Sequence, residues 1–154
     1  MKEIFLSFSP EYYDTLAEGT KKFEYRKRFA DDEVMAYIYL TSPVRKVVCK
    51  VHLGKKVNVE DLRTVYTDEK TGKRIESYIR DGWIWAMPIL EVIFLRPVTL
   101  DEIRDAIPDF MPPRSYIYLD GNERLKDFLK LREKVTGWLR IDRSDIESED
   151  ICCD

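Results

Sequence analysis

The apolar residues of this 154-residue chain are grouped in short segments in which apolar and polar side chains alternate. A period of two is typical of β-strands, whose successive side chains point to opposite faces of a sheet. Because only small helices can lie between strands spaced so closely, the pattern favours an α+β fold, a mixed β-barrel of five to seven short strands with peripheral helices, over a parallel doubly wound sheet. The predicted strands include Lys2–Phe8, Lys21–Arg28, Met35–Leu40, Val44–Leu53 and Ser115–Leu119.

Two helices have clear boundary signals. Ser9 followed by Pro10 is typical of a helix start, since a proline at the first position loses no hydrogen bond there. This helix is expected to end at Gly19, because glycine readily adopts the left-handed conformation of a helix stop. Thr99 and Glu102 form a capping-box pattern that predicts a short helix over Leu100–Ile107.

Other segments have weaker patterns. Val59–Asp81 is polar and helical in places, and we expect two short helices there around a loop with a turn in Asp68–Lys73. Trp83–Leu95 predicts one or two buried strands interrupted near Pro88. Leucine and phenylalanine at helical spacing predict a helix over Asn122–Trp138.

The length suits one compact domain, which we divide into three parts. Residues 1–120 are expected to form the barrel, 121–141 a C-terminal helical extension and 142–154 an acidic tail that is flexible and frays. The net charge is −3, but Asp142–Asp154 alone carries −5, so the remaining chain carries +2. The basic character of the body is therefore local, and local fields are what attract a phosphate backbone.

Composition excludes several classes of protein. Hydrophobic residues make up 44% of the chain, which is too many for a disordered protein. No apolar run approaches the roughly 20 residues that cross a bilayer, and the acidic Glu3 is unlike a signal peptide, so we expect a cytoplasmic protein with no membrane contact. Three Cys and a single His predict neither disulfides nor a metal site, and no cofactor is expected.

Two segments concentrate basic residues. Gly19–Phe29 holds five of them around a lone carboxylate, Glu24. Pro43–Val59 contains no acid and holds Arg45, Lys46, Lys50, Lys55 and Lys56. These cations could form a rim that follows a phosphate backbone, although lysines on edge strands also serve to prevent aggregation.

The stretch Gly19–Arg26, GTKKFEYR, matches the GxKxxExR signature of the ASCH domain, a branch of the PUA-like β-barrels. The segments EIFLSFSPEYYDTLAEG, YIYLTSPVRKVV and PPRSYIYL also resemble ASCH sequences and occur in the expected order. The resemblance covers roughly Met1 to Leu119. It implies a PUA-like barrel whose cleft, lined by the motif, binds RNA or a nucleotide-like ligand.

The candidate ligand-binding residues are those of the motif together with nearby cations and an aromatic side chain. Glu24 and Arg26 lie two residues apart on one strand face, about 7 Å between Cα atoms, so their side chains can meet. The alternative is a surface ion pair that contributes little. The full candidate set is Lys21, Glu24, Arg26, Arg28, Arg45, Lys46 and Tyr116.

Two other functions stay open. Some ASCH relatives resemble hydrolases, and one subgroup removes an acyl group from a modified cytidine with a Lys and a Thr of the motif. In this chain Lys21 is present but Glu24 occupies the Thr position, so these two residues would be catalytic only in a different hydrolysis of modified nucleosides or RNA. The third function is a protein-interaction module that uses the C-terminal helix. The sequence leaves the oligomeric state open.

Overall fold

A computed structural model describes all residues from Met1 to Asp154 and shows one mixed sheet with helices around it. The predicted fold class, an α+β barrel of the PUA-like type, is confirmed. The barrel has eight strands, whereas five to seven were expected. No helix combines the length and the hydrophobicity needed to span a membrane. The strands are β1 (Lys2–Phe8), β2 (Phe23–Arg26), β3 (Val34–Leu40), β4 (Lys46–Leu53), β5 (Val57–Asn58), β6 (Trp85–Thr99), β7 (Tyr116–Tyr118) and β8 (Val135–Arg140), and the α-helices are α1 (Tyr13–Glu18), α2 (Glu69–Arg80), α3 (Leu100–Ala106) and α4 (Glu123–Arg132).

The sheet runs in the order β2-β6-β4-β3-β1-β7, and β5 and β8 also pair with β6. Only the pairing of β1 with β3 is parallel. Short 3₁₀-helices at Pro10–Tyr12, Val59–Thr64 and Ser148–Asp150 complete the structure.

Strand β6 is a single strand of 15 residues, so the predicted interruption near Pro88 is wrong, and the strand also continues past Pro97. Both prolines lie where the pairing changes. Pro88 is the last β6 residue opposite β2, and β4 takes over from Ile89. Pro97 lies in the part that β4 leaves unpaired between Phe94 and Val98. A proline is tolerated in a strand where no ladder hydrogen bond is required of it.

Three apolar clusters form the core. The largest lies under the sheet and includes Leu16 of α1 and Cys49 of β4. The second lies on the opposite face and is covered by α3 and α4, which contribute Ile103 and Leu129. The third packs α2 against β2. Helix α4 also carries Leu131, which is exposed, and the use of this helix by a protein partner stays a prediction.

The connection from α1 to β2 has the predicted form. Gly19 ends α1 with φ of 80°, and its backbone N–H donates to Leu16 O. A Cβ at this position would lie 3.1 Å from Cδ2 of Leu139, so both the left-handed backbone and the close approach favour glycine. The chain then enters β2 with Phe23 and Tyr25 turned toward the third cluster.

The region 59–81 holds two helices, as expected, but the turn predicted in Asp68–Lys73 is wrong. Helix α2 already begins there, because the Asp68 carboxylate accepts a hydrogen bond from Thr71 N at 3.1 Å and caps the helix. Hydrogen bonds from Ser148 and Thr71 lower the pKa of Asp68 to about 2. Capping by an aspartate overcame the weak helix propensity of Thr71 and Gly72.

The C-terminal region differs most from expectation. The predicted helix to Trp138 is wrong beyond Arg132, since Val135–Arg140 forms strand β8 paired with β6. The expected fraying of the acidic tail is also wrong. Ile151 and Cys152 are buried in the third cluster, because burial of their apolar side chains against this part of the core is favourable.

The burial of α2 predicts a large effect of Ile75→Ala. Ile75 is fully buried in the third cluster, so its truncation should lower the free energy of unfolding by about 2–5 kcal/mol, measured by urea denaturation. Leu131→Ala is the control, because Leu131 is 87% exposed and its loss should cost less than about 0.5 kcal/mol. Equal effects of the two changes would contradict the packing of α2.

Candidate functional site

A cavity of about 540 Å³ lies beside the motif strand β2. The end of β1, the strand β2 and the last turn of α2 form its walls, and residues from five other segments complete the lining. It is lined by Ser7, Phe8, Ser9, Tyr12, Glu24, Tyr25, Arg26, Thr41, Ser77, Tyr78, Asp81, Trp83, Arg114 and Asp154.

Glu24 and Arg26 form the ion pair expected from their spacing. Nε and Nη2 of Arg26 both donate to Oε2 of Glu24, at 2.9 and 2.7 Å. Nη2 also donates to the carbonyl of Ser7 at 2.9 Å, while Nη1 makes no hydrogen bond within the protein. The side chain of Glu24 is 9% exposed and that of Arg26 is 15% exposed. This pair is therefore a shielded part of the cavity wall with one guanidinium nitrogen left over.

Lys21 precedes β2, so its direction is not set by strand alternation. Its side chain is 2% exposed, and Nζ lies 3.6 Å from Oε1 of Glu24 and contacts the carboxylate of Asp154. Nζ also lies 5.3 Å from the ring centroid of Tyr12 and 5.6 Å from that of Tyr25. A buried ammonium requires such partners, because an unpaired charge is costly away from water.

The electrostatics of this cluster are balanced. The cations Lys21 and Arg26 face the carboxylates Glu24 and Asp154, so the four charges cancel. A bound anion would therefore meet no net positive charge from these four groups as they stand.

Two tyrosines connect the cavity to the C-terminal residues. The Tyr25 hydroxyl accepts a hydrogen bond from Cys152 N at 2.8 Å, and the Tyr78 hydroxyl donates to Asp154 O at 2.9 Å. Burial raises the pKa of Tyr25 and of Tyr78 above the ordinary value for tyrosine. Both therefore stay neutral hydroxyls near neutral pH, and Tyr78 keeps the proton that it donates.

Arg114 is a cavity residue that the sequence analysis missed. The backbone of its segment is held by Ser7, whose Oγ donates to Pro113 O at 2.7 Å and whose N–H donates to Ser115 O at 2.9 Å. The guanidinium of Arg114 makes no hydrogen bond or ion pair within the protein, so it is free for a ligand. Its signal in the sequence is the segment PPRSYIYL, in which Arg114 is the one charged residue.

Trp83 lies at the same cavity. Its side chain is 38% exposed, and Nζ of Lys27 lies 5.1 Å from its ring centroid. An exposed indole next to an ammonium is suited to stacking on a planar ligand.

Five of the seven predicted binding residues do not line this cavity, although one of the five, Lys21, contacts residues that do. Arg28 and Lys46 are exposed, and Lys46 is paired in the sheet with Thr99. Arg45 is exposed in a turn with φ of 54°. Tyr116 packs against Phe29 and Tyr118. The structure brings together only the three residues of the motif, Lys21, Glu24 and Arg26.

The basic rim predicted from Pro43–Val59 is partly neutralised. Lys50 donates to Glu133 at 3.0 Å, and Lys56 lies 3.1 Å from Asp31. Cys49 and His52 take no part in a metal site, and no group of three or more His, Cys, Asp or Glu side chains is placed to hold a metal ion.

Comparison with known proteins agrees with the resemblance to ASCH proteins. A protein from Zymomonas mobilis subsp. mobilis, named an ASCH domain-containing ribonuclease, is 27% identical over 135 residues, which cover 81% of this chain and 89% of that protein. No protein-family model matches the chain.

Solved structures of the Zymomonas mobilis ASCH protein share the fold. A Tyr-to-Phe variant has a TM-score of 0.66 at 23% identity, covering 87% of this chain and all of that one. The protein without a stated substitution has a TM-score of 0.65 at 24% identity, covering 86% of this chain and 96% of that one. This chain has the ASCH fold. The resemblance to the ASCH family is thereby confirmed, whereas the roles of the motif residues in this ASCH-type protein stay a prediction.

The charge cluster predicts unequal effects of two substitutions in the ASCH motif. Glu24→Gln leaves Lys21 and Arg26 facing each other without their shared carboxylate, and removing one partner of a buried pair costs about 3–5 kcal/mol. Lys21→Met keeps the Glu24–Arg26 pair and frees Asp154, whose side chain is 19% exposed and can reach water. Urea denaturation should therefore show the larger loss for Glu24→Gln, and the reverse order would contradict the arrangement.

Proposed function

We propose that this ASCH-type protein binds RNA or a nucleotide-like ligand in the cavity beside β2. The observation that carries the proposal is the combination of free guanidinium groups, hydroxyls and aromatic rings within one cavity of about 540 Å³. This volume lies in the range of small-molecule sites, which suits one nucleotide unit and is too small for a duplex.

The phosphate would bind between two arginines. Nη1 of Arg26 and the whole guanidinium of Arg114 are without partners in the protein and line the same cavity. Guanidinium groups bind phosphate with paired, charge-assisted hydrogen bonds. Ser7 holds both arginines at the cavity. Its carbonyl accepts a hydrogen bond from Arg26, and its N–H and hydroxyl donate to the backbone on either side of Arg114.

The base would bind against aromatic rings. Tyr12, Tyr78 and Trp83 line the cavity, and stacking on such rings is worth about 1–3 kcal/mol per base. The hydroxyls of Thr41 and Ser77 make no hydrogen bond within the protein, so they can bind the polar edge of a base or a ribose. Unstacked bases are recognised in this way in single-stranded RNA.

The relative from Zymomonas mobilis supports RNA as the class of ligand. Its name contains the word ribonuclease, and the alignment covers 89% of its length. The alignment covers 81% of this chain at 27% identity, and an RNA-related role is therefore the function that the comparison supports best.

Arg114→Ala is the sharpest test. A charge-assisted hydrogen bond contributes about 1.5–3 kcal/mol, so the dissociation constant of a single-stranded RNA pentanucleotide should rise about tenfold or more. The fold should be unaffected, because the Arg114 side chain is exposed and makes no hydrogen bond or ion pair in the protein that the change would break. Fluorescence anisotropy with labelled RNA measures the effect.

Arg124→Ala is the matched control, since Arg124 is also an exposed arginine but lies away from the cavity. The double change Lys21→Ala, Arg26→Ala should also weaken binding, provided that circular dichroism shows a folded protein. RNA binding that is unchanged both in Arg114→Ala and in the folded double variant would contradict the proposal.

A second candidate function, cleavage of RNA, is favoured by the name of the relative and by the contact of Lys21 with Glu24. Attack of a ribose 2′-hydroxyl on the neighbouring phosphorus forms a 2′,3′-cyclic phosphate and breaks the bond from phosphorus to the 5′-oxygen of the next nucleotide, which takes a proton from water. The step needs a group that accepts the proton of the 2′-hydroxyl and cations that stabilise the charge on the phosphate. Oε1 of Glu24 can accept a proton, and Arg26 and Arg114 can stabilise the charge.

Glu24→Gln tests this second function, because the amide cannot act as a base. Cleavage of a fluorogenic single-stranded RNA should fall at least 100-fold, at a temperature where the variant is folded. Glu76→Gln is the control, since Glu76 is 58% exposed and lies outside the cavity. A folded Glu24→Gln protein with the rate of the unchanged chain would remove the catalytic role and leave the binding function.

A further inference from the structure

The C-terminal segment, Ser148–Asp154, is anchored to the wall of the cavity by its first part. Ile151 is 0% exposed and Cys152 is 2% exposed. Arg74 of α2 donates to the carbonyl of Ser148 at 2.7 Å and to that of Ile151 at 3.0 Å. This part of the segment is therefore fixed by both apolar burial and hydrogen bonds.

The last two residues are held less firmly. Cys153 is exposed, and the Asp154 side chain is 19% exposed. The two polar contacts of Asp154 are its carboxylate with Lys21 and its carbonyl with the hydroxyl of Tyr78. These contacts can open while Ile151 and Cys152 stay in place, because apolar burial and the hydrogen bonds of Arg74 hold the first part of the segment independently of them.

The position of Asp154 covers Lys21. Asp154 and Glu24 line the cavity, whereas Lys21, which contacts both, does not. The Asp154 carboxylate thus lies between the cavity and the ammonium. A carboxylate and a phosphate oxygen are both acceptors for this cation, and they would compete for it.

Removal of Asp154 would also change the charge at the site. The four groups Lys21, Glu24, Arg26 and Asp154 sum to zero with the segment in place and to +1 with Asp154 withdrawn. A net positive charge favours binding of a phosphate. The arrangement in which Asp154 contacts Lys21, which we call the closed state, therefore weakens phosphate binding.

We propose that Asp154 is an internal competitor for Lys21, which the phosphate of a bound RNA displaces. The inference rests on the proposed function of the cavity. While Asp154 contacts Lys21, a phosphate has to compete with this carboxylate for the ammonium, and a ligand that also stacks on the aromatic rings can displace it.

Asp154→Asn tests the inference while keeping the shape of the side chain. If the closed state is populated about nine times in ten, opening the site should lower the dissociation constant of an RNA pentanucleotide about tenfold. In the unchanged chain the displaced Asp154 carboxylate takes up cations from solution, which offsets part of the cation release from RNA, so the plot of log affinity against log salt should be steeper for Asp154→Asn by up to about 0.7. Anisotropy titrations at several salt concentrations measure both quantities.

Two controls separate this effect from a general change of charge. Glu149→Gln removes one negative charge from an exposed residue of the same segment and should leave both quantities nearly unchanged. Uridine, which has no phosphate, should bind equally to the unchanged chain and to Asp154→Asn.

The outcomes are distinct. Equal or weaker RNA binding by Asp154→Asn, in a protein that melts like the unchanged chain, overturns the inference and leaves the proposed function intact. Absence of RNA binding in both proteins overturns the proposed function and the inference with it. Binding that appears or tightens only in Asp154→Asn, with the steeper salt dependence, supports both.

Discussion

The hydrogen-bond ladder along β6 is the constraint on which the rest of the structure depends. Residues 85–88 pair with β2 and β5, and residues 89–99 pair with β4 and β8. One continuous strand therefore joins the motif strand to the main sheet, and the buried face of β2 follows from this pairing. Pro88 lies at the change of partners, where its missing N–H leaves the ladder intact.

A second link, through Ser7, determines where the charged side chains of the site lie. Its carbonyl accepts from Arg26, its N–H donates to Ser115 O, and its hydroxyl donates to Pro113 O. Ser7 is 5% exposed, so these bonds are shielded from water and are costly to lose. The site is thus built from β1, β2 and the segment before β7, which are far apart in sequence.

Local signals in the sequence correctly predicted the helix boundaries and strands in which they occur. Gly19 as a helix stop, the capping box at Thr99 and the period-two strands β1, β3 and β4 are all confirmed. Predictions failed where a distant partner decided the outcome. Val135–Arg140 became a strand because the free edge of β6 was available to it, and propensity carries no information about such an edge.

The sequence by itself determined the ASCH-type motif, the pairing of Glu24 with Arg26 and the alternation that buries Phe23 and Tyr25, because each depends on residues within one short segment. Only the tertiary structure decided that Arg114 is the free cation of the cavity and that Asp154 covers Lys21. Contacts between segments that are distant in sequence bring those two side chains to the site. The pattern of charges along a sequence does not predict which distant cations and carboxylates will be in contact.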